Sequence, residues 1–244
     1  MVGSSSYYLP WDRIHEIAAA GNEIGGHTLR HTNLTTMSAA DARTAVCDDR
    51  TALRAQGFSP VTAFAYPEAG VNATAEQIVR DCGYASGRDV GNLFAPLCPC
   101  PYAETLPPPD PYRLRTIQGV TSATTLADLQ AAVTNAETHG GGWVPLVFHG
   151  VCDNGCTGGN SVSTGTFSAF LDWLAARGMT TLLERTVVVL NDSDGHADKR
   201  TRSVLAQQFS GHGQPVVEIP FDGSLRPGGV ITGTAQMSRA ARRK

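Results

Sequence analysis

Trp11–Thr35 reads WDRIHEIAAAGNEIGGHTLRHTNLT, and the fold follows from this stretch. Trp11 to Ala20 has the apolar spacing of a short amphipathic helix, and Gly21 stops it. Asn22 to Thr28 then reads as a strand running into a loop that carries His31. Helix, glycine, strand and loop in this order are a unit of an α/β fold. The strand ends on His27, four residues before His31. Two imidazoles at that spacing can turn toward one metal ion, and neutral imidazole is a common zinc ligand. A bare His-x-x-x-His is also what two unremarkable loop histidines would look like. The Ile24-Gly25-Gly26 approach argues for function, because paired glycines let the backbone come close to a ligand or substrate.

The same alternation continues downstream. Ser38 caps a helix running to about Gln56, and Gly57 ends it. Val61 to Tyr66 is a short strand closed by Pro67. Asn72 to Cys82 is helical, and Gly83-Tyr84-Ala85 opens another strand. Seven prolines between residues 96 and 111 make a long irregular loop. Tyr112 to Ile117 is a strand, Thr125 to Thr138 a helix, Val144 to Phe148 a strand ending at His149, and Thr166 to Arg177 a helix stopped by Gly178. Strands alternating with helices predict an α/β fold with parallel strands and helices outside, as a barrel or a wound sheet. Functional groups then collect beyond the C-terminal strand ends. His27, Pro67 and His149 all lie at such ends.

The length of 244 residues suits one large α/β domain or two small ones. The net charge of −3 gives no field favouring nucleic acid, and no apolar run reaches membrane-spanning length. The six cysteines (47, 82, 98, 100, 152 and 156) fit disulfides of an oxidising compartment better than a zinc cluster, since paired Cys-x-x-Cys spacing is missing. Cys152 to Cys156 is a loop that a disulfide could close. Met1 to Ser6 is not a secretory signal. Neither a dinucleotide fingerprint, a phosphate loop nor a serine elbow occurs.

Composition changes near residue 180. Up to Gly178 there are ten Lys and Arg against sixteen Asp and Glu; from Thr186 there are eight against five. This gives a first domain at residues 1–180 and a second segment at 181–244, reading β-α-β and ending in a basic tail.

His149 follows an apolar strand and precedes Gly150, which suits either a satisfied strand-end histidine or a general acid. Phe64-Ala65-Tyr66-Pro67-Glu68-Ala69-Gly70 is by default a tight turn, and it could present an amide to an oxyanion. Glu68 is a carboxylate ligand or a solvated side chain. Asp48-Asp49 falls within a helix, where a solvated acidic face is expected. Asp12 begins a helix and is given no role.

Three segments, WDRIHEIAAAGNEIGGHTLRHTNLT, AFAYPEAG (63–70) and WVPLVFHGV (143–151), resemble the polysaccharide deacetylases of carbohydrate esterase family 4. The resemblance runs from about residue 5 to 178. It implies a distorted (β/α) barrel of the NodB type with about seven strands, and a divalent metal, zinc in most members. It implies His27 and His31 as metal ligands, Thr28 as a brace of the loop, the Glu68 amide at the oxyanion and His149 as the acid for the leaving amine. The metal lowers the pKa of a bound water, which removes acetyl groups from an N-acetylated polysaccharide such as chitin or peptidoglycan. An extracellular or cell-wall setting and a monomer go with it. Two departures stand out. The family's Arg two residues before the Pro is replaced by Ala65. Its Asp-Asp motif would lie before residue 1, so the chain is expected to lack the first strand. A catalytically impaired, glycan-binding domain is the second reading. VVVLNDSDGHADKRTRSVLAQQF and PVVEIPFDGSLRPGGVI in the tail resemble the end of MinD/ParA-type ATPases, with Asn191 at a matching position, and a nucleotide-linked partitioning remnant is the third.

Overall fold

In the computed structural model the described residues are 2, 8–94, 99–105, 107–153 and 159–177. The expectations for the C-terminal β-α-β segment, its ATPase resemblance and the basic tail lie outside them, as do Cys98 and Cys156.

Helix α1 spans Trp11–Ala19 and is followed by Gly21 at φ 91°. Helix α2, Ala39–Ala55, starts where the Ser38 side chain accepts from the Asp41 amide. Helix α3, Ala73–Asp81, is capped in the same way by Asn72. Helix α4, Leu126–Thr138, opens with a full capping box between Thr125 and Asp128, and α5, Thr164–Ala176, is capped by Ser163. Each cap satisfies amides that have no partner inside the first helical turn. The disulfide Cys47–Cys82 ties the middle of α2 to the end of α3, with Cα atoms 5.0 Å apart. Cys100 and Cys152 are disulfide-bonded as well.

Strands β1 (Ala63–Ala65), β2 (Ser86–Asn92) and β3 (Leu114–Thr116) form a parallel sheet in chain order. Strands β4 (Gly150–Val151) and β5 (Ser161–Val162) form a second parallel pair. The α/β class with parallel strands is therefore present. The described strands do not close into one ring, so a full barrel is not traced among them.

Two expected strands are reduced to local pairing. Gly26 makes a single parallel bridge to Phe64, because the chain turns left-handed at Thr28, φ 63°, and leaves the ladder. Residues 145–147 run beside 117–120, with Ile117 N donating to Pro145 O and Val120 N to Val147 O. Pro145 has no N–H to return, which thins that ladder. The proline-rich loop is held by Glu104, which is 1% exposed and takes a bidentate ion pair from Arg115.

The core has two clusters. Val46, Leu53, Phe64, Tyr66, Val79 and Tyr84 fill the space between α2, α3 and the sheet, and α1 lays Trp11, Ile14 and Ala18 against it. Leu129, Val133, Phe167 and Phe170 join α4 to α5 over β4 and β5. Both leave the segments around 27–33 and 66–70 at the C-terminal side of β1, while His149, expected at a strand's end, immediately precedes β4.

Candidate active site

The Gly25-Gly26 pair sets His27 at the edge of β1. A Cβ on Gly25 would sit 2.8 Å from the Ala63 carbonyl oxygen. Gly26 N donates to Ala63 O and Ala65 N donates to Gly26 O, both at 2.9 Å. His27 Nδ1 then lies 2.8 Å from Ala65 O. A carbonyl only accepts, so Nδ1 carries the proton and Nε2 keeps its lone pair. This is how second-sphere groups prepare an imidazole for a metal. Burial, followed by the charges of His31, Arg88 and His149, lowers the His27 pKa to about 4, although the bond to Ala65 opposes the shift. The ring is therefore neutral at pH 7.

His31 stands beside it, with ring centroids 4.7 Å apart and planes at 76°. Thr28 is 9% exposed, and its Oγ1 accepts from Thr32 N at 3.3 Å, which closes the turn between the two histidines. Thr28 and His31 both have positive φ, 63° and 54°. Non-glycine residues in this region carry a strain that the surrounding contacts must hold.

The Pro67–Ala69 turn packs against that loop. Glu68 and Ala69 both have φ of 54°, and Glu68 is exposed. Asn33 Nδ2 donates to Glu68 Oε2 at 3.5 Å. Gly70 is needed there, since a Cβ would meet the Asn33 side chain at 2.1 Å.

His149 comes from the 145–149 segment. Its Nδ1 is buried without a hydrogen-bond partner. Burial first, then the charges of His31 and Arg88, hold its pKa below the usual imidazole range. His27, His31 and His149 thus lie within electrostatic reach of one another. Among the described residues no three His, Cys, Asp or Glu side chains gather as a metal-ligand group. The residues present fit a metal at His27 and His31, and the third protein ligand usual for catalytic zinc is not among those described.

Three site residues escaped the sequence reading. Asp49, expected on a solvated face, is 7% exposed and points under the histidine loop. Tyr84 reaches the same carboxylate, with Tyr84 Oη donating to Asp49 Oδ2 at 3.3 Å. Arg88 pairs with Ala65 in the β1–β2 register and brings a positive charge next to the histidines. No local signal marks Arg88, because it becomes a neighbour of Ala65 only through the register of the sheet. A helical position facing inward could have singled out Asp49 over Asp48.

A solved structure similar to part of this chain is the Streptococcus pyogenes deacetylase PplD in complex with acetate, at 26% identity and a TM-score of 0.36, covering 37% of this chain and 40% of that one. The chain thus spans less than half the length of that protein. No curated protein matches the chain. Among the described residues no helix is long and apolar enough to cross a membrane. Residues 2–87, which contain the His27–His31 loop, Asp49, the 63–70 turn and the start of β2, match the model of the polysaccharide deacetylase family.

Proposed function

We propose that this chain is a metal-dependent hydrolase that removes acetyl groups from an N-acetylated glycan. The family match over residues 2–87 supports the reaction class. The observation that carries the reading is the His27–His31 pair, with His27 Nδ1 committed to Ala65 O and Nε2 left as a donor to a metal. A divalent ion at this pair, zinc in the first instance, would supply Lewis acidity toward the acetamide oxygen and a more acidic water.

The protein's own groups do the rest. The 66–70 turn, with Glu68 in left-handed backbone, lines the place where the acyl oxygen develops charge, and we assign its amide to that oxygen. The water oxygen bonds to the acyl carbon, the C–N bond breaks, and acetate and a free amine result. His149 delivers the amine's proton. Its depressed pKa leaves it neutral at pH 7, so its proton must come from the attacking water within the same cycle. Arg88 fixes a cation at the site, which favours substrates and intermediates that carry negative charge.

Acetate release from N-acetylated chitooligosaccharides, with and without chelator, tests the proposal. The expected result is chelator-sensitive release that falls more than about 100-fold in His27→Ala, since loss of a ligand should exceed the 10- to 100-fold cost of losing a second-sphere group. Release that survives both the chelator and His27→Ala would overturn the metal-dependent reading.

A further inference from the structure

Asp49 sits where two surfaces of the histidine loop meet. Three groups donate to its Oδ2: His27 N at 2.9 Å, Thr28 N at 3.2 Å and Tyr84 Oη at 3.3 Å. The reason lies in the backbone. Up to Gly26 the chain is tied to β1 through Ala63 O and Ala65 N. At Thr28 it turns left-handed, and the amides of His27 and Thr28 turn away from that ladder. Two consecutive amides converging inward form a concavity that suits an anionic oxygen. Helix α2 delivers that oxygen, and a buried amide left without an acceptor would be costly.

The fit is close. A Cβ on Gly26 would lie 2.1 Å from Tyr84 Oη and 2.7 Å from Asp49 Oδ2. The loop is therefore clamped between Ala63 and Ala65 on one side and Asp49 with Tyr84 on the other. The direction of the His27 ring depends on both, because its Nδ1 must meet Ala65 O while its main chain stays on Asp49.

We propose that Asp49 is a positioning residue for His27, acting through the main-chain amides of His27 and Thr28 without touching metal or substrate. This rests on the reading of His27 as a metal ligand. It gives α2 a role in the site that the His-x-x-x-His pattern alone does not contain.

The test uses the full-length, disulfide-bonded chain with Asp49→Ala, Asp49→Asn and Leu53→Ala. Leu53 is a buried α2 residue that faces the core, so its variant controls for lost stability. Zinc calorimetry is combined with amide hydrogen exchange and with nitrogen shifts of the His27 ring. In Asp49→Ala we expect faster exchange at His27 and Thr28, a mixed His27 tautomer and zinc affinity lower by about 10- to 100-fold. Asp49→Asn keeps a neutral acceptor, so it should move both amide resonances upfield yet restore most of the zinc affinity. Leu53→Ala should lower stability and speed exchange across the core, yet leave the His27 tautomer and the zinc affinity of the folded protein unchanged. A folded Asp49→Ala with unchanged zinc affinity and tautomer overturns the proposal. If that variant does not fold, Asp49→Asn with unmoved His27 and Thr28 amides overturns it. Should the wild type bind no zinc, the metal reading fails, while the amide and ring signals still decide whether Asp49 orients His27.

Discussion

At the scale of single residues the site holds two groups, the half-buried His27 and the buried Asp49, whose shifts act on stability in opposite senses. His27 has a pKa of about 4 in the fold against 6.5 for a free imidazole. Between these values the unfolded chain binds more protons, so His27 makes stability rise with pH. Burial raises Asp49 to about 6 from 3.8, against the hydrogen bonds it accepts. There the folded state binds more protons, so Asp49 makes stability fall as pH rises toward 6. Each effect is worth about 3 kcal/mol at about 1.4 kcal/mol per unit, and over pH 4 to 6 they nearly cancel. Asp49→Asn removes one of them. Urea unfolding in chelator at pH 4.5 and 6.5 should therefore show a steeper gain of stability with pH in Asp49→Asn than in the wild type. Parallel changes in the two proteins would contradict the opposing pair. Gly26 gives a second prediction at this scale. With no room for a Cβ beside Tyr84 and Asp49, Gly26→Ala should lose about 1–3 kcal/mol in the same assay.

Among the elements, the helices were legible and the strands less so. Ser38 is read as a cap, and Asn72 and Thr125, read as helix starts, prove to be caps too; each side chain serves the amide three residues on, and that is local chemistry. The strands expected at 22–28 and 144–148 shrink to one bridge and two backbone hydrogen bonds. Their apolar pattern is real, but Thr28's left-handed turn and Pro145's missing N–H limit how much of it becomes ladder. The Cys47–Cys82 bridge was beyond a pattern reading, since six cysteines permit many pairings. It closes a separation of 35 residues across α2, β1 and α3. The chain-entropy model puts such a closure at about 4 kcal/mol. The double variant Cys47→Ser/Cys82→Ser should lose stability of that order on chemical unfolding, with α2 the first helix to lose amide protection. Because α2 carries Asp49, zinc affinity should fall along with it.

For the whole molecule the prediction concerns linkage between site and fold. A ligand that binds only the folded state at 100 times its Kd adds about 2.7 kcal/mol. For a chain of this size that corresponds to a rise in Tm of roughly 5–10 °C. Saturating zinc should produce it in the wild type and not in the His27→Ala variant. An equal rise in both proteins would place zinc elsewhere, for example on unassigned surface groups.

The amino-acid sequence by itself determined the helix boundaries, the α/β alternation, and the His27, His31 and His149 candidates. These depend on periodicity, capping and spacing, which act over a few residues. Tertiary structure alone decided that burial keeps His27 neutral while Ala65 fixes its tautomer, that Arg88 lies in register opposite Ala65, and that Asp49 grips the loop from 22 residues away. Burial and hydrogen bonding between distant segments set those features. No local pattern encodes them, because the groups become neighbours only when α2 and the sheet pack around one core.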